Sequence, residues 1–259
     1  MAMIDNIGST AFNLAYLGVL WGAILFSLAK HGVKTRAAKL VFGAFAALGT
    51  GDAFHLLTRT VVFFESLGYA GGQSAYYSLE STGRALGVGL VATSVTVTFF
   101  YLVIYFLWRG GGVSGQGEGD LTPRVRLRLF WCDVLAFGAV LARLSLIAYP
   151  QNGWGATQEV LNPFRMAANL PLYVLGVGTA AGLLLHSRDV KSSDPRASLV
   201  ENRVGACFLA SFAFYSPVIL LSWINPYFGL FMIPKTLAYL VAFFYLRAQV
   251  TASPEENAS

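Results

Sequence analysis

The sequence predicts an all-α integral membrane protein that crosses the bilayer seven times. Of its 259 residues only 12% are charged and 56% are hydrophobic, whereas a soluble domain usually carries about 25% charged residues. Seven apolar segments are each long enough for a transmembrane helix, which needs about 20 residues. These segments are too continuously apolar for membrane β-strands, in which polar and apolar residues alternate.

The predicted helices, numbered 1 to 7 along the chain, are Ser9–Ala29, Ala38–Arg59, Glu80–Trp108, Arg128–Tyr149, Pro163–His186, Arg203–Trp223 and Tyr227–Arg247. Residues 1–250 are therefore expected to form a single transmembrane domain. The remaining residues, 251–259, are small, polar and acidic. Chain ends of this kind are poorly ordered unless packing holds them, so we expect a disordered cytoplasmic tail.

The basic residues predict the orientation. Thirteen of the 18 Lys and Arg residues flank the connections after helices 1, 3 and 5 or follow helix 7. Loops rich in Lys and Arg stay in the cytoplasm. The N-terminus should therefore lie outside and the C-terminus inside, in a multi-pass protein of the plasma membrane. We call the end of the bundle with these thirteen residues the basic end and the opposite end the predicted outer end.

Five basic residues do not follow this pattern, because they fall in the outer halves of the predicted helices: Arg59, Arg84, Arg143, Arg165 and Lys235. A charged side chain in hydrocarbon is costly, and such residues usually face the interior of the bundle or a water-filled cavity. Because these five residues fall at a similar depth, we predict that they share one polar site. Two acids, Asp52 and Glu80, fall at the same level.

Helical spacing groups these residues on common faces. Side chains three, four or seven positions apart share one face of a helix. Such spacings join Asp52 to His55 and Arg59 in "GDAFHLLTR", Glu80 to Arg84, Arg165 to Asn169, and Lys235 to Tyr239. With Arg143 and Tyr215, they are expected to line one cavity that opens at the predicted outer end. Five basic and two acidic residues leave this predicted site with a surplus of about three positive charges.

A positive surplus favours binding or transport of an anionic or carbonyl-bearing small molecule, or of a lipid headgroup. The alternative function is an intramembrane enzyme that acts on a lipid or isoprenoid, with Asp52 and His55 as its acid–base pair. Two other interpretations remain open. The charges could form an internal salt-bridge network in a structural subunit, and Arg59 could extend towards outer headgroups.

Other classes of site are not expected. Three histidines and two cysteines give no set of metal ligands, and no cofactor-binding motif is present. Membrane lipids are the expected partners and nucleic acid is not, whereas a partner protein or a homo-oligomer is left open. Asp133 should pair with Arg126 or Arg128 near the basic end. Proline should interrupt helices 5, 6 and 7 and free backbone carbonyl groups, at Pro171, Pro217 and Pro234.

Four segments, "GDAFHLLTR", "YPQNGW", "NPFRMAANLP" and "MIPKTLAY", resemble a family of uncharacterised bacterial seven-helix integral membrane proteins. The resemblance covers most of the chain. It implies bacterial origin and a seven-helix layout, and it implies no activity. A lysine in helix 7 also invites comparison with rhodopsins, but Phe231 stands where microbial rhodopsins carry an acid four residues before the retinal-binding lysine. Retinal is therefore not expected as a cofactor.

Overall fold

The computed structural model describes residues 2–67, 80–111, 123–154 and 162–251. Within these ranges the chain forms seven α-helices and no strand. The helices are α1 (Ala2–His31), α2 (Arg36–Leu67), α3 (Glu80–Arg109), α4 (Pro123–Ala148), α5 (Pro163–Asp189), α6 (Pro195–Leu221) and α7 (Met232–Thr251). Each coincides, in whole or in part, with a segment that is long and apolar enough to cross a membrane. The predicted fold class is confirmed.

Two helices extend further at the basic end than the apolar pattern predicts. α4 begins at Pro123 instead of Arg128, and α6 begins at Pro195 instead of Arg203. Hydropathy marks where a segment leaves the hydrocarbon, but backbone hydrogen bonding continues beyond that level. At the start of α6 the Asp194 side chain accepts a hydrogen bond from the Ala197 amide at 2.9 Å, an N-cap that fixes this boundary.

Helix α7 begins later than predicted, and this changes the role of its proline. A 3₁₀ helix, Pro226–Phe231, precedes Met232, and Asn225 caps it by accepting a hydrogen bond from the Tyr227 amide at 3.0 Å. Pro234 therefore lies in the first turn of α7, where a backbone N–H has no partner within the helix. The prediction that Pro234 interrupts a helix is wrong, whereas Pro171 and Pro217 do lie inside α5 and α6.

The helices form a closed bundle with α3 at its centre. Each helix packs against the next along the chain, and α7 also packs against α1 and α2, which closes the ring. α3 contacts α2, α4 and α5. Its Phe100 ring meets Phe208 of α6 at 5.7 Å and Tyr239 of α7 at 5.5 Å between centroids.

An aromatic core fills the middle of this bundle. Its members, all fully buried, are Phe45, Phe100, Phe208 and Phe243. Neighbouring rings lie 4.9–5.7 Å apart between centroids. Edge-on and tilted contacts at these distances add to the stabilisation that burial provides. The aromatic core is the main block of side chains between the two ends of the bundle.

Helices α2 and α3 approach each other closely at two glycines. A Cβ added at Gly51 would overlap the Thr96 hydroxyl, and a Cβ at Gly89 would lie 2.9 Å from both the His55 Cα and the Phe54 carbonyl oxygen. Small residues allow membrane helices to come near enough for backbone and short side chains to touch. This contact sets the distance between Asp52 on α2 and the polar residues of α3.

Candidate functional site

Asp52 is held by hydroxyl groups from two neighbouring helices. The Tyr16 hydroxyl of α1 donates to Asp52 Oδ2 at 2.6 Å, and the Thr93 hydroxyl of α3 donates to Asp52 Oδ1 at 3.0 Å. Each carboxylate oxygen therefore has one donor, which reduces the cost of placing an acid within the bundle. These two contacts fix the position of the carboxylate relative to α1, α2 and α3.

Lys235 of α7 faces the same region. Its Nζ lies 3.8 Å from the centre of the Tyr215 ring and 6.0 Å from that of Tyr239, so the ammonium group makes a cation–π contact. It also interacts electrostatically with Asp52. Among the described residues Lys235 donates no hydrogen bond, which leaves its three N–H groups without a protein acceptor there.

Arg143 of α4 is the most deeply buried cation of the region, with a relative exposure of 3%. Its Nη1 donates to the Ala168 carbonyl oxygen and, at 3.0 Å, to Asn169 Oδ1, both on α5. Asn169 Oδ1 also accepts a hydrogen bond from the Tyr215 hydroxyl at 3.2 Å. Arg143 Nε, in contrast, is buried without a hydrogen-bond partner among the described residues.

His55 completes the region with a second unpaired nitrogen. Its Nδ1 is buried and has no hydrogen-bond partner in the described part of the chain, and the ring lies close enough to Lys235 and Arg59 to interact with them electrostatically. Further along α7, the hydroxyl groups of Tyr239 and Tyr101 are hydrogen-bonded at 2.9 Å.

These contacts define a polar belt to which all seven helices contribute. We use this name for Tyr16, Asp52, His55, Thr93, Arg143, Asn169, Tyr215, Lys235 and Tyr239. Measured from Asp52, Thr93, Tyr215 and Lys235, the aromatic core lies seven or eight residues nearer the basic end, about 10–12 Å at 1.5 Å per residue, and Tyr239 lies between the two levels. Arg143, protonated Lys235 and the Asp52 carboxylate give the belt a net charge of +1 with neutral His55. The predicted residues Asp52, His55, Arg143, Asn169, Tyr215, Lys235 and Tyr239 thus come together.

Arg165 occupies a different position from the one that the sequence predicts. Its Nε donates to the Asn152 carbonyl oxygen at 2.6 Å, its Nη2 donates to the Gly153 carbonyl oxygen, and its guanidinium carbon lies 5.4 Å from the centre of the Trp154 ring. These contacts fasten the first turn of α5 to the connection that follows α4. These contacts account for a basic residue at this depth of the membrane, and no ligand is needed to explain it.

Of the other three predicted residues, Arg59 interacts electrostatically with His55 of the belt. Arg59 and Arg84 have exposed side chains. Glu80 is the first residue of α3, but its side chain lies outside the described part of the structure. The contacts therefore gather two of the five predicted cations, and the predicted surplus of about three positive charges falls to one.

Sequence analysis missed three residues of this region, Tyr16, Thr93 and Tyr101. Each has a neutral hydroxyl group in an apolar helix, and such residues are common in membrane segments. Only their contacts with Asp52 and Tyr239 distinguish them. The charged residues were recognisable because ionised side chains are rare within membrane helices.

Ion pairs near the basic end have a structural role. Asp133 of α4 accepts hydrogen bonds from Tyr105 and from Arg109 Nε of α3, the latter at 3.2 Å, so the predicted pairing with Arg126 or Arg128 is not the one found. His186 Nδ1 lies 2.6 Å from the fully buried Glu201 Oε2. Each pair joins neighbouring helices. Among the described residues, no three His, Cys, Asp or Glu side chains come together as metal ligands.

The fold and the belt define a multi-pass, seven-helix membrane protein with a buried polar site on one side of an aromatic core. Comparison of the chain with protein-family models, curated proteins and solved structures gave no match.

Proposed function

We propose that this protein binds an anionic or carbonyl-bearing small molecule, or a lipid headgroup, in the polar belt. In this proposal the protein resides in the plasma membrane of a bacterium, its N-terminus is outside, and the ligand reaches the belt from the outer side. The ligand's oxygen atoms accept hydrogen bonds from Arg143 and Lys235.

The observation that carries the proposal is Arg143 Nε, which has no hydrogen-bond partner among the described residues. A buried donor without an acceptor costs about 1–3 kcal/mol, and more when the group is charged. The other guanidinium contacts hold Arg143 against α5, so the side chain cannot turn away without breaking them. An acceptor oxygen at Nε would satisfy this donor, and the nearby ammonium group of Lys235, which interacts with Arg143 electrostatically, would attract the same negative charge.

The position of the aromatic core supports access from the predicted outer end. The fully buried rings of Phe45, Phe100, Phe208 and Phe243 separate the belt from the basic end. Densely packed side chains of this kind leave few voids larger than a water molecule. A ligand that entered from the basic end would have to displace them.

The enzymatic alternative gains no support from the geometry. For acid–base chemistry, a carboxylate would orient His55 by accepting a hydrogen bond from its ring. The two oxygens of Asp52 instead accept from Tyr16 and Thr93, and His55 Nδ1 has no partner among the described residues. Asp52 therefore does not orient the His55 ring in this structure.

Native mass spectrometry of gently extracted protein tests the proposal. The wild-type protein should retain an anionic or carbonyl-bearing adduct that Lys235→Met loses. Hydrogen bonds to charged groups contribute about 1.5–3 kcal/mol, which corresponds to a loss of affinity of about 10- to 150-fold. Lys235→Met should still fold, because Lys235 donates no hydrogen bond to any described residue.

Arg203→Gln is the matched control. Arg203 lies on α6 towards the basic end, where it contacts Tyr245, so its removal takes one positive charge from the protein and none from the belt. The adduct should persist in this variant. Equal retention of the same adduct by Lys235→Met and by wild type would contradict the proposed site.

A further inference from the structure

We infer that the polar belt selects a ligand group with a single negative charge over one with two. This inference rests on the proposed function and adds the charge class of the ligand. A carboxylate and the phosphodiester of a lipid headgroup are both monoanions, whereas a phosphate monoester is a dianion near neutral pH.

The charge balance of the described residues carries the inference. The belt contains two cations, Arg143 and protonated Lys235, and Asp52 already compensates one of them. One further negative charge makes the site neutral. A second negative charge would lie in a desolvated region with no cation left to pair with it, and an uncompensated buried charge is strongly unfavourable.

The free hydrogen-bonding groups agree with this balance. Arg143 Nε offers one donor, since Arg143 Nη1 is already engaged with Ala168 and Asn169. Lys235 lies against the Tyr215 ring and has its N–H groups free of described acceptors. Each of these two cationic groups can donate to one oxygen of a carboxylate or of a phosphodiester. A phosphate monoester adds a second negative charge that neither group would balance.

The nearest other cations do not change the net charge of the belt. Arg165 is occupied by the Asn152 and Gly153 carbonyl groups. Arg59 interacts electrostatically with His55, but its side chain is exposed on the surface of the bundle and does not lie in its interior with Arg143 and Lys235. The cationic groups in direct reach of the proposed ligand are therefore Arg143 and Lys235.

Four probes with equal numbers of carbon atoms test the inference: n-octanoate, dibutyl phosphate, n-octyl phosphate and n-octanol. They supply a planar monoanion, a phosphodiester monoanion, a dianion and a neutral control. Apparent Kd values come from the rise in unfolding temperature of protein in neutral-lipid nanodiscs. The assay is run at about pH 7.4, where an ordinary imidazole is mostly neutral and a phosphate monoester is mostly doubly charged.

In the wild-type protein the better of the two monoanions should bind more tightly than n-octyl phosphate by about tenfold, which corresponds to about 1.4 kcal/mol. The order of n-octanoate and dibutyl phosphate then separates a carboxylate ligand from a lipid headgroup. Asp52→Asn should shift the preference towards n-octyl phosphate by a similar factor, because the belt then carries two uncompensated cations. Arg203→Gln should leave every ratio unchanged.

Failure of the charge inference and failure of the proposed function would give different results. If n-octyl phosphate binds the wild-type protein as tightly as both monoanions, or if Asp52→Asn folds and leaves the ratio unchanged, the charge inference is overturned and anion binding stands. If no anion stabilises the wild-type protein more than n-octanol does, the proposed function fails as well. The wild-type ratio alone is decisive if Asp52→Asn does not fold.

Discussion

The carboxylate of Asp52 shows how a single ionised side chain is accommodated at membrane depth. Its two oxygens accept hydrogen bonds from different helices, at 2.6 Å from Tyr16 and at 3.0 Å from Thr93. Lys235 supplies the nearby positive charge. Because the donors belong to α1 and α3, Asp52 ties three helices together whether or not a ligand is bound.

At this scale we predict that Tyr16→Phe destabilises the protein. Loss of a hydrogen bond to a charged group costs about 1.5–3 kcal/mol, and each kcal/mol lowers the Tm of a protein of this size by about 2–4 °C. The change keeps the ring of Tyr16, which is 3% exposed, so packing is preserved. Thermal unfolding in detergent measures the effect.

Tyr227→Phe is the control for this prediction. Tyr227 is 61% exposed, and its hydroxyl group makes no hydrogen bond to a described residue. The Tm of the Tyr227→Phe variant should stay within about 1–2 °C of the wild-type value, since surface substitutions usually change stability by no more than about 0.5 kcal/mol. Equal Tm values for both variants would show that the Tyr16 hydrogen bond contributes nothing to folding.

At the level of whole helices, the contact between α2 and α3 positions the belt. Gly51 precedes Asp52 directly, and Gly89 lies one turn before Thr93 on α3. Both glycines face the partner helix with no room for a methyl group. The backbone contact that these residues allow keeps the Thr93 hydroxyl within hydrogen-bond distance of Asp52.

We predict that Gly89→Ala lowers the free energy of unfolding by about 1–3 kcal/mol, the usual cost of adding a group to a well-packed contact. The added Cβ would lie 2.9 Å from the His55 Cα and the Phe54 carbonyl oxygen, and backbone atoms cannot rotate away. The helices must move apart, so binding of the preferred anion should weaken as well. Thermal unfolding and probe titration measure the two effects.

Gly43→Ala on α2 is the matched substitution. A Cβ at Gly43 meets nothing within 4 Å, and alanine is favoured over glycine within helices by about 1 kcal/mol. This variant should unfold at the same temperature as wild type or a higher one, with unchanged anion binding. If Gly89→Ala and Gly43→Ala destabilise the protein equally, close packing of α2 against α3 does not explain why position 89 needs glycine.

At the scale of the whole molecule, the fold was predictable because lipid imposes strong rules. Seven long apolar segments permit little except seven helices, and their order along the chain survives in the structure. The charged residues located the belt in the sequence. Asp52, Arg143 and Lys235 stand out in the sequence, whereas Tyr16 and Thr93 do not.

The arginines show why charge alone could not define the site. Arg165 satisfies its donors with loop carbonyl groups, and Arg59 and Arg84 are exposed. Sequence spacing specifies the face of a helix that a residue occupies. It specifies neither the rotation of that face within the bundle nor the loop backbone that lies beside it.

The last prediction concerns orientation, on which access to the belt depends. Thirteen of the 18 Lys and Arg residues lie at the basic end, so that end should face the cytoplasm. We expect Asp5→Cys, in a background where Cys132 and Cys207 are replaced by serine, to react with a membrane-impermeant maleimide on intact cells. Ser259→Cys in the same background should react only after permeabilisation. Labelling of Ser259→Cys from outside would show the opposite orientation and would put the proposed ligand entrance on the cytoplasmic side. The anion would then have to come from inside the cell, although the charge balance of the belt would be the same.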